Sequence, residues 1–306
     1  MQRLIIATLL LCTLGVSCGK KTPSTATRTI GVALLTRSHI FYKDLEEGLV
    51  QAAAARKYEL IITSAEFDLG KQIGQIEDFV ARKVDAIIVC PADSKGVGPG
   101  IRRANEAGIP VFTADIAAQE GTVVSHIASD NVAGGRLAGE FLAKALGGRG
   151  RVAIINHPIV TSVLDRVAGF KAALAPFPDI SIAADVEGSG VRDKSLEVTA
   201  DVLQANPKLD GIFGINDASA LGALDAVQQF KRPGIIIVGY DATPPAVDAI
   251  IRGTPLKADV IQYPVKIGVT TIEKIQDYFA GVPVPPLVPV EVGIVDEVSL
   301  AKSGGR

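Results

Sequence analysis

The strongest constraint on this chain is a repeated pairing of two patterns: short runs apolar on consecutive positions, each followed by a longer stretch whose apolar residues recur at helical spacing. The runs 30–35, 59–63, 86–90, 110–113 and 123–127 are dominated by Ile, Val, Leu and Ala. Consecutive rather than alternating apolar residues mean that both faces of each strand are covered. Between them, 42–56, 71–82 and 96–107 have the spacing of amphipathic helices. Such alternation specifies a parallel sheet flanked by helices on both faces.

The pattern then restarts. A helix over 131–146 and a turn at Gly147-Gly148-Arg149-Gly150 lead into strands 151–155, 180–185, 211–214 and 235–238, with helices over 163–175, 194–204, 218–229 and 245–252. The expected fold class is α/β, two doubly wound parallel-sheet lobes in succession, and 306 residues exceed the roughly 100–200 of a single core. After a strand at 257–261, one more helix (265–280) and one more extended segment (288–294) remain, which complete the first lobe if the chain crosses back. Crossings are expected near Ser129-Asp130, Gln262-Tyr263 and Glu291-Val292. They divide the chain into a first lobe of 29–129 plus 263–291, a second of 130–262 plus 292–298, and a tail of 299–306.

The N-terminal stretch reads as a targeting segment. Arg3 is the sole charge before Lys20, and 4–16 is almost unbroken apolar, too short for a span needing about 20 residues and right for a signal h-region. Leu14-Gly15-Val16-Ser17-Cys18 looks like a lipobox. Residues 1–17 are therefore expected to be a signal peptide, Cys18 to be lipidated after cleavage, and 18–28 to be a polar tether. An ordinary signal peptide cut nearby is the alternative. The expected location is the periplasm or cell surface, anchored to the membrane through Cys18.

Composition excludes several classes. A net charge of −2 with no basic run argues against nucleic acid as a partner. Cys12 and Cys18 belong to the export segment and leave Cys90 alone, so no disulfide framework is possible; ending an apolar run, Cys90 is expected in the core. The one Gly-x-Ser-x-Gly match, Gly15 to Gly19, falls inside the signal segment. No phosphate-binding loop or dinucleotide fingerprint is present, and His39, His126 and His157 lack metal-ligand spacing. No catalytic residue, metal or cofactor is expected.

In open parallel sheets ligands lie beyond the carboxyl ends of the strands. The residues just past the strands are 36–42, Asp115, Asn156-His157, Asn216-Asp217, Asp241 and Gln262, with Arg166 a little further along the chain. Carboxylates, amides and an Arg fork suit a polyhydroxylated ligand, and Phe41 and Tyr42 can cover the C–H face of a sugar ring. Other roles stay open at this stage. Asp115, Asn216 and Asp241 could cap turns or helices, Phe41 and Tyr42 could be core, Arg166 could pair at the surface, Gln262 could be linker, and His39 is ambiguous.

Longer stretches carry a resemblance. Val123-Val-Ser-His-Ile-Ala-Ser-Asp-Asn-Val132 followed by Ala-Gly-Gly135, Asn216-Asp217 with Ala220-Leu-Gly-Ala-Leu224, Val238-Gly-Tyr-Asp241-Ala-Thr-Pro244, and Arg166 with Gly169-Phe170 are similar to the ribose-binding type I periplasmic sugar-binding proteins, from about 29 to 292. The resemblance implies lobes that close around a monosaccharide, whether a ribose-like pentose, a hexose, a deoxy sugar or a polyol. It also implies delivery to an ATP-driven (ABC) importer whose permease touches both lobes, by a chain expected to be a monomer. Its ligand contacts fall on Phe41, Tyr42, Asp115, Arg166, Asn216, Asp241 and Gln262. The chain departs from the pattern where Ile116 replaces an Arg, His39 an Asn and Leu35 a Ser, and where an aromatic is expected around Gly190-Val191; His39 and Ile116 join the candidate ligand-binding residues for that reason. A repressor core of the same fold would need a DNA-reading helix-turn-helix in place of the export segment. Docking of the closed form on a chemoreceptor or histidine kinase is the functional alternative.

Overall fold

The computed structural model describes residues 27–302; the expected signal segment, Cys18 and residues 303–306 lie outside them. From the first described residues the chain runs β1 (Thr29–Leu34), α1 (Ile40–Ala55), β2 (Glu59–Ser64), α2 (Leu69–Ala81), β3 (Ala86–Val89), α3 (Gly98–Glu106), β4 (Val111–Ala114) and β5 (Ser125–Ser129). A second series follows: α4 (Asn131–Ala145), β6 (Arg149–Asn156), α5 (Thr161–Leu174), β7 (Asp179–Glu187), α6 (Arg192–Ala205), β8 (Gly211–Gly214), α7 (Asp217–Gln229), β9 (Ile236–Asp241), α8 (Pro244–Ile251) and β10 (Leu256–Ile261). The chain ends with α9 (Pro264–Phe279), β11 (Leu287–Val290), β12 (Gly293–Asp296) and α10 (Glu297–Lys302).

Two six-stranded sheets result, ordered β2-β1-β3-β4-β5-β11 and β7-β6-β8-β9-β10-β12. Every pairing is parallel except β10 with β12. The two orders are the same winding used twice. Chemistry tracks position: the central strands β3, β4 and β8 are wholly buried, whereas the edge strands β2 and β7 are half exposed. Both faces of a central strand are covered, which is why its sequence is apolar on consecutive residues.

The chain passes between the sheets three times: from β5 into α4, from β10 into α9, and from β11 into β12. Asp130 caps α4 at the first passage, its side chain accepting from Ala133 N, and Pro264 occupies the first turn of α9 at the second. The segment 288–294 parts at Glu291-Val292 into two strands, β11 parallel to β5 and β12 antiparallel to β10. The expected tail differs, because α10 buries Leu300 against the second lobe.

Close helix packing in the second lobe explains a glycine run. A Cβ on Gly135 of α4 would run into the Arg166 carbonyl of α5, and one on Gly169 into the Val132 carbonyl. The two helices approach backbone to backbone, and that contact sets the height at which Arg166 leaves α5.

Candidate functional site

The carboxyl ends of the strands converge on one cavity between the lobes, walled by side chains from both. His39, Phe41, Tyr42, Asp115, Ile116, Arg166, Asn216, Asp241 and Gln262 all line it. Leu35, Phe67, His157, Val160, Ser162, Val163, Ser189, Gly190 and Ile215 complete the wall. The lobes are closed on one another. Ser94 N donates to the Ile159 carbonyl at 3.1 Å, Thr161 N to Ser94 Oγ at 3.0 Å, and Ala117 N to Thr161 Oγ1 at 3.0 Å.

In the first lobe one carboxylate faces the cavity. Asp115 stands just past β4 with φ +66°, a left-handed conformation that a non-glycine residue holds only where its surroundings enforce it. Tyr42 Oη donates to Asp115 Oδ2 at 2.7 Å, so the tyrosine's one donor serves the carboxylate and is not available to a ligand. Asp115 Oδ1 is buried without a partner. Burial raises the Asp115 pKa, against the pull of Arg166 and the Tyr42 hydrogen bond. Burial lowers the pKa of His39, favouring the neutral imidazole.

The second lobe supplies most of the polar groups. Arg166 is 5% exposed and largely committed: Nε donates to Asn131 Oδ1 and Nη1 to the Ile215 carbonyl, both at 2.8 Å, and its carbon Cζ lies 3.9 Å from the Tyr240 ring centroid. The fork expected to grip two ligand oxygens thus has one nitrogen, Nη2, wholly uncommitted. Asn216 is the N-cap of α7, accepting from Ser219 N at 2.8 Å, while its Nδ2 donates to the Gly190 carbonyl at 3.1 Å; it therefore caps the helix and lines the cavity at once. His157 Nδ1 lies 3.1 Å from Glu187 Oε1, which leaves Nε2 as the ring's other polar atom.

Asp241 occupies the floor, with φ +119°, followed by Ala242 at +52°. Its Oδ1 accepts from Gln262 Nε2 at 2.6 Å and lies 3.9 Å from Arg166 Nη1. Burial pushes the Asp241 carboxyl up to about 7, opposed by Arg166 and reinforced by Asp217. Gln262 Oε1 is a second buried acceptor with no partner.

Beneath that strained turn lie two more buried carboxyls. Asp259 Oδ1 accepts from Ala242 N at 2.9 Å, and Asp217 Oδ2 accepts from Thr243 N and Oγ1 at 2.7 and 2.5 Å. Their other oxygens, Asp217 Oδ1 and Asp259 Oδ2, meet no donor, yet the two groups are within hydrogen-bonding reach of each other. A proton between them satisfies both. Burial, with repulsion from Asp217, holds Asp259 well above the carboxylate range, and burial raises Asp217 as well.

Some of this wall went unforeseen in the sequence. Phe67 follows β2 at φ +64°; extending the strand-end search to β2 would have found it. Val160, Ser162 and Val163 surround the start of α5 and have no strand-end signal. Asn131 and Tyr240, which hold Arg166, sit outside the cavity wall and are visible only in three dimensions.

A wedge-shaped cavity between two α/β lobes, walled by residues from both and floored by a linker segment, defines a two-lobed solute-binding protein. The chain belongs to the periplasmic binding protein domain family, whose pattern matches residues 30–282. It is 33% identical over 268 residues to the ribose import binding protein RbsB of Escherichia coli (strain K12), covering 87% of this chain and 90% of that one. It is 30% identical over 237 residues to the xylitol-binding protein of Mycolicibacterium smegmatis, covering 77% of this chain and 68% of that one. Among solved structures, an ABC transporter periplasmic solute binding protein from Actinobacillus succinogenes 130z with bound D-allose matches with a TM-score of 0.83 at 30% identity, over 90% of this chain and all of that one.

Proposed function

We propose that this protein is the extracytoplasmic substrate-binding component of an ABC importer, closing its lobes around a monosaccharide or polyol and presenting it to the permease. The observation that carries the reading is the pair of buried acceptors without partners, Asp115 Oδ1 and Gln262 Oε1, lining a cavity between the closed lobes. An unpaired buried acceptor costs about 1–3 kcal/mol, and ligand hydroxyls are the donors that recover it. Arg166 Nη2, Asp241 and His157 supply complementary groups, while the Phe41 and Tyr42 rings, 5.2 Å apart and nearly perpendicular, offer apolar surface to a ring's C–H face. Relatives that bind ribose, xylitol and D-allose by name support the same class of ligand.

The nine candidate residues are assigned as ligand contacts on this reading. The three passages between the sheets act as a hinge, with lobes of 29–129 plus 263–291 and 130–262 plus 292–298. Lipidation of Cys18 anchors a monomer to the membrane, where closure brings both lobes to the permease. No helix among the described residues is long and apolar enough to cross a membrane.

A thermal-shift screen of the purified protein against pentoses, hexoses, deoxy sugars, polyols and amino acids tests this. Ligand at 100 times its dissociation constant adds about 2.7 kcal/mol of stability, a clear rise in melting temperature. A response confined to amino acids would keep the fold and sink the carbohydrate assignment.

A further inference from the structure

The first-lobe side of the cavity is nearly devoid of hydrogen-bonding groups. Leu35 follows β1 and Ile116 follows Asp115 at the end of β4; they are 6% and 2% exposed and both line the cavity. Between these strands lies β3, whose next residue, Cys90, is fully buried. With about 4.8 Å between neighbouring strands, this apolar wall spans about 10 Å. Phe41, Phe67 and the ring of Tyr42 continue it. The nearby Thr36 hydroxyl is engaged with Ser38 and Glu66, and Tyr42 Oη with Asp115. Asp115 Oδ1 and the His39 ring are the polar groups this lobe is left with, and Asp115 Oδ1 alone flanks the Leu35–Ile116 floor.

A fully hydroxylated sugar has an oxygen on nearly every carbon, so whichever edge lies on Leu35 and Ile116 would bury hydroxyls with no partner. From this we infer that the ligand is deoxygenated on that edge: a deoxy sugar whose methylene or methyl group rests on Leu35 and Ile116, while its hydroxyls meet Asp115 Oδ1, Arg166, Asp241 and Gln262. The inference rests on the sugar-binding reading and narrows it. An apolar site rejects an analogue that merely adds a hydroxyl by up to about a hundredfold, which sets the scale of the preference.

The test is calorimetric titration of the purified protein with matched pairs: D-galactose and D-fucose, D-glucose and 6-deoxy-D-glucose, L-mannose and L-rhamnose, and D-ribose with its 2-deoxy and 5-deoxy forms. The expected result is at least a tenfold advantage for the deoxy member of one pair or more. Ile116→Asn and Leu35→Ser, which give the extra hydroxyl a partner, should then shrink that ratio severalfold; the wild-type ratio stands as a test even if either variant folds poorly. An advantage below tenfold in every pair, including the case in which only polyols bind, overturns the inference and leaves sugar or polyol binding standing. Silence across all saccharides and polyols overturns both.

Discussion

The two lobes share one winding of six strands yet put opposite chemistry at their strand ends. The first-lobe wall is Leu35, Phe41, Tyr42, Phe67 and Ile116, with Asp115 as its one acid and His39 at its rim. The second lobe contributes the polar Arg166, Asn216, Asp241 and His157 together with the apolar Val160, Val163 and Ile215, with Gln262 on the linker beside them. The first-lobe wall is thus mainly apolar, whereas most of the cavity's polar side chains come from the second lobe. Polar groups demand support, which is why the second lobe also holds the buried network of Asn131, Tyr240, Asp217 and Asp259 behind its cavity-lining residues, whereas Tyr42 alone braces the Asp115 side chain.

That division predicts unequal responses to substitution. Arg166→Ala should do most damage, because it strips donors from Asn131 and the Ile215 carbonyl and leaves Asp241 without its cation. Breaking a buried charge pair by removing one partner costs about 3–5 kcal/mol, so denaturant unfolding should show a large loss of stability and titration no binding. A variant of near wild-type stability would mean that the second lobe is less interdependent than its contacts imply. Tyr42→Phe, in the first lobe, removes the donor to Asp115 Oδ2 and should cost about 1–3 kcal/mol of stability, with affinity reduced less than tenfold; a greater loss of affinity than Arg166→Ala would invert the comparison.

The acid pair makes a pH-dependent prediction. Asp241 and Asp259 have folded-state pKa values raised by burial, so their stabilising contribution is complete below the unfolded value near 4 and fades as pH rises, through about 7 for Asp241. Each raised carboxyl weakens stability by about 1.4 kcal/mol per pH unit within its window. Asp259→Asn keeps an acceptor for Ala242 N and a donor for Asp217 but cannot titrate. Its stability relative to wild type should therefore rise as pH increases above about 4. Parallel pH profiles for the two proteins would show that the Asp259 carboxyl is not raised.

The smallest effect concerns closure. Thr161→Val removes the Thr161 Oγ1 contacts with Ala117 and Ser94 without touching the cavity wall, and should weaken binding severalfold, mainly through faster release, at unchanged pocket chemistry. Equal release rates in stopped-flow would mean that the closed form is held by the ligand alone.

Much of the architecture could be read from the sequence because central parallel strands leave a local signature, a run such as Ala86 to Val89 apolar on every residue. Strand-end carboxylates were readable for the same reason: once β4 and β9 are placed, Asp115 and Asp241 must sit at their carboxyl ends. What failed was whatever depends on partners far away in sequence. That β12 runs antiparallel to β10 is set by that distant partner, not by local pattern. That Arg166 spends two of its nitrogens on Asn131 and Ile215 depends on the glycine-mediated approach of α4 to α5. Pairing of Asp217 with Asp259 joins residues 42 positions apart, with no motif to announce it.

Calorimetric titration of the best saccharide or polyol from the screen into wild type and Asp241→Asn, run side by side, bears on the interlobe site itself. The expected outcome is one-to-one binding to wild type and at least about tenfold weaker binding to the variant, the scale of losing a charge-assisted hydrogen bond of roughly 1.5–3 kcal/mol. Equal affinity in both proteins would place the ligand elsewhere, and no binding to wild type by any saccharide or polyol would contradict the assignment outright.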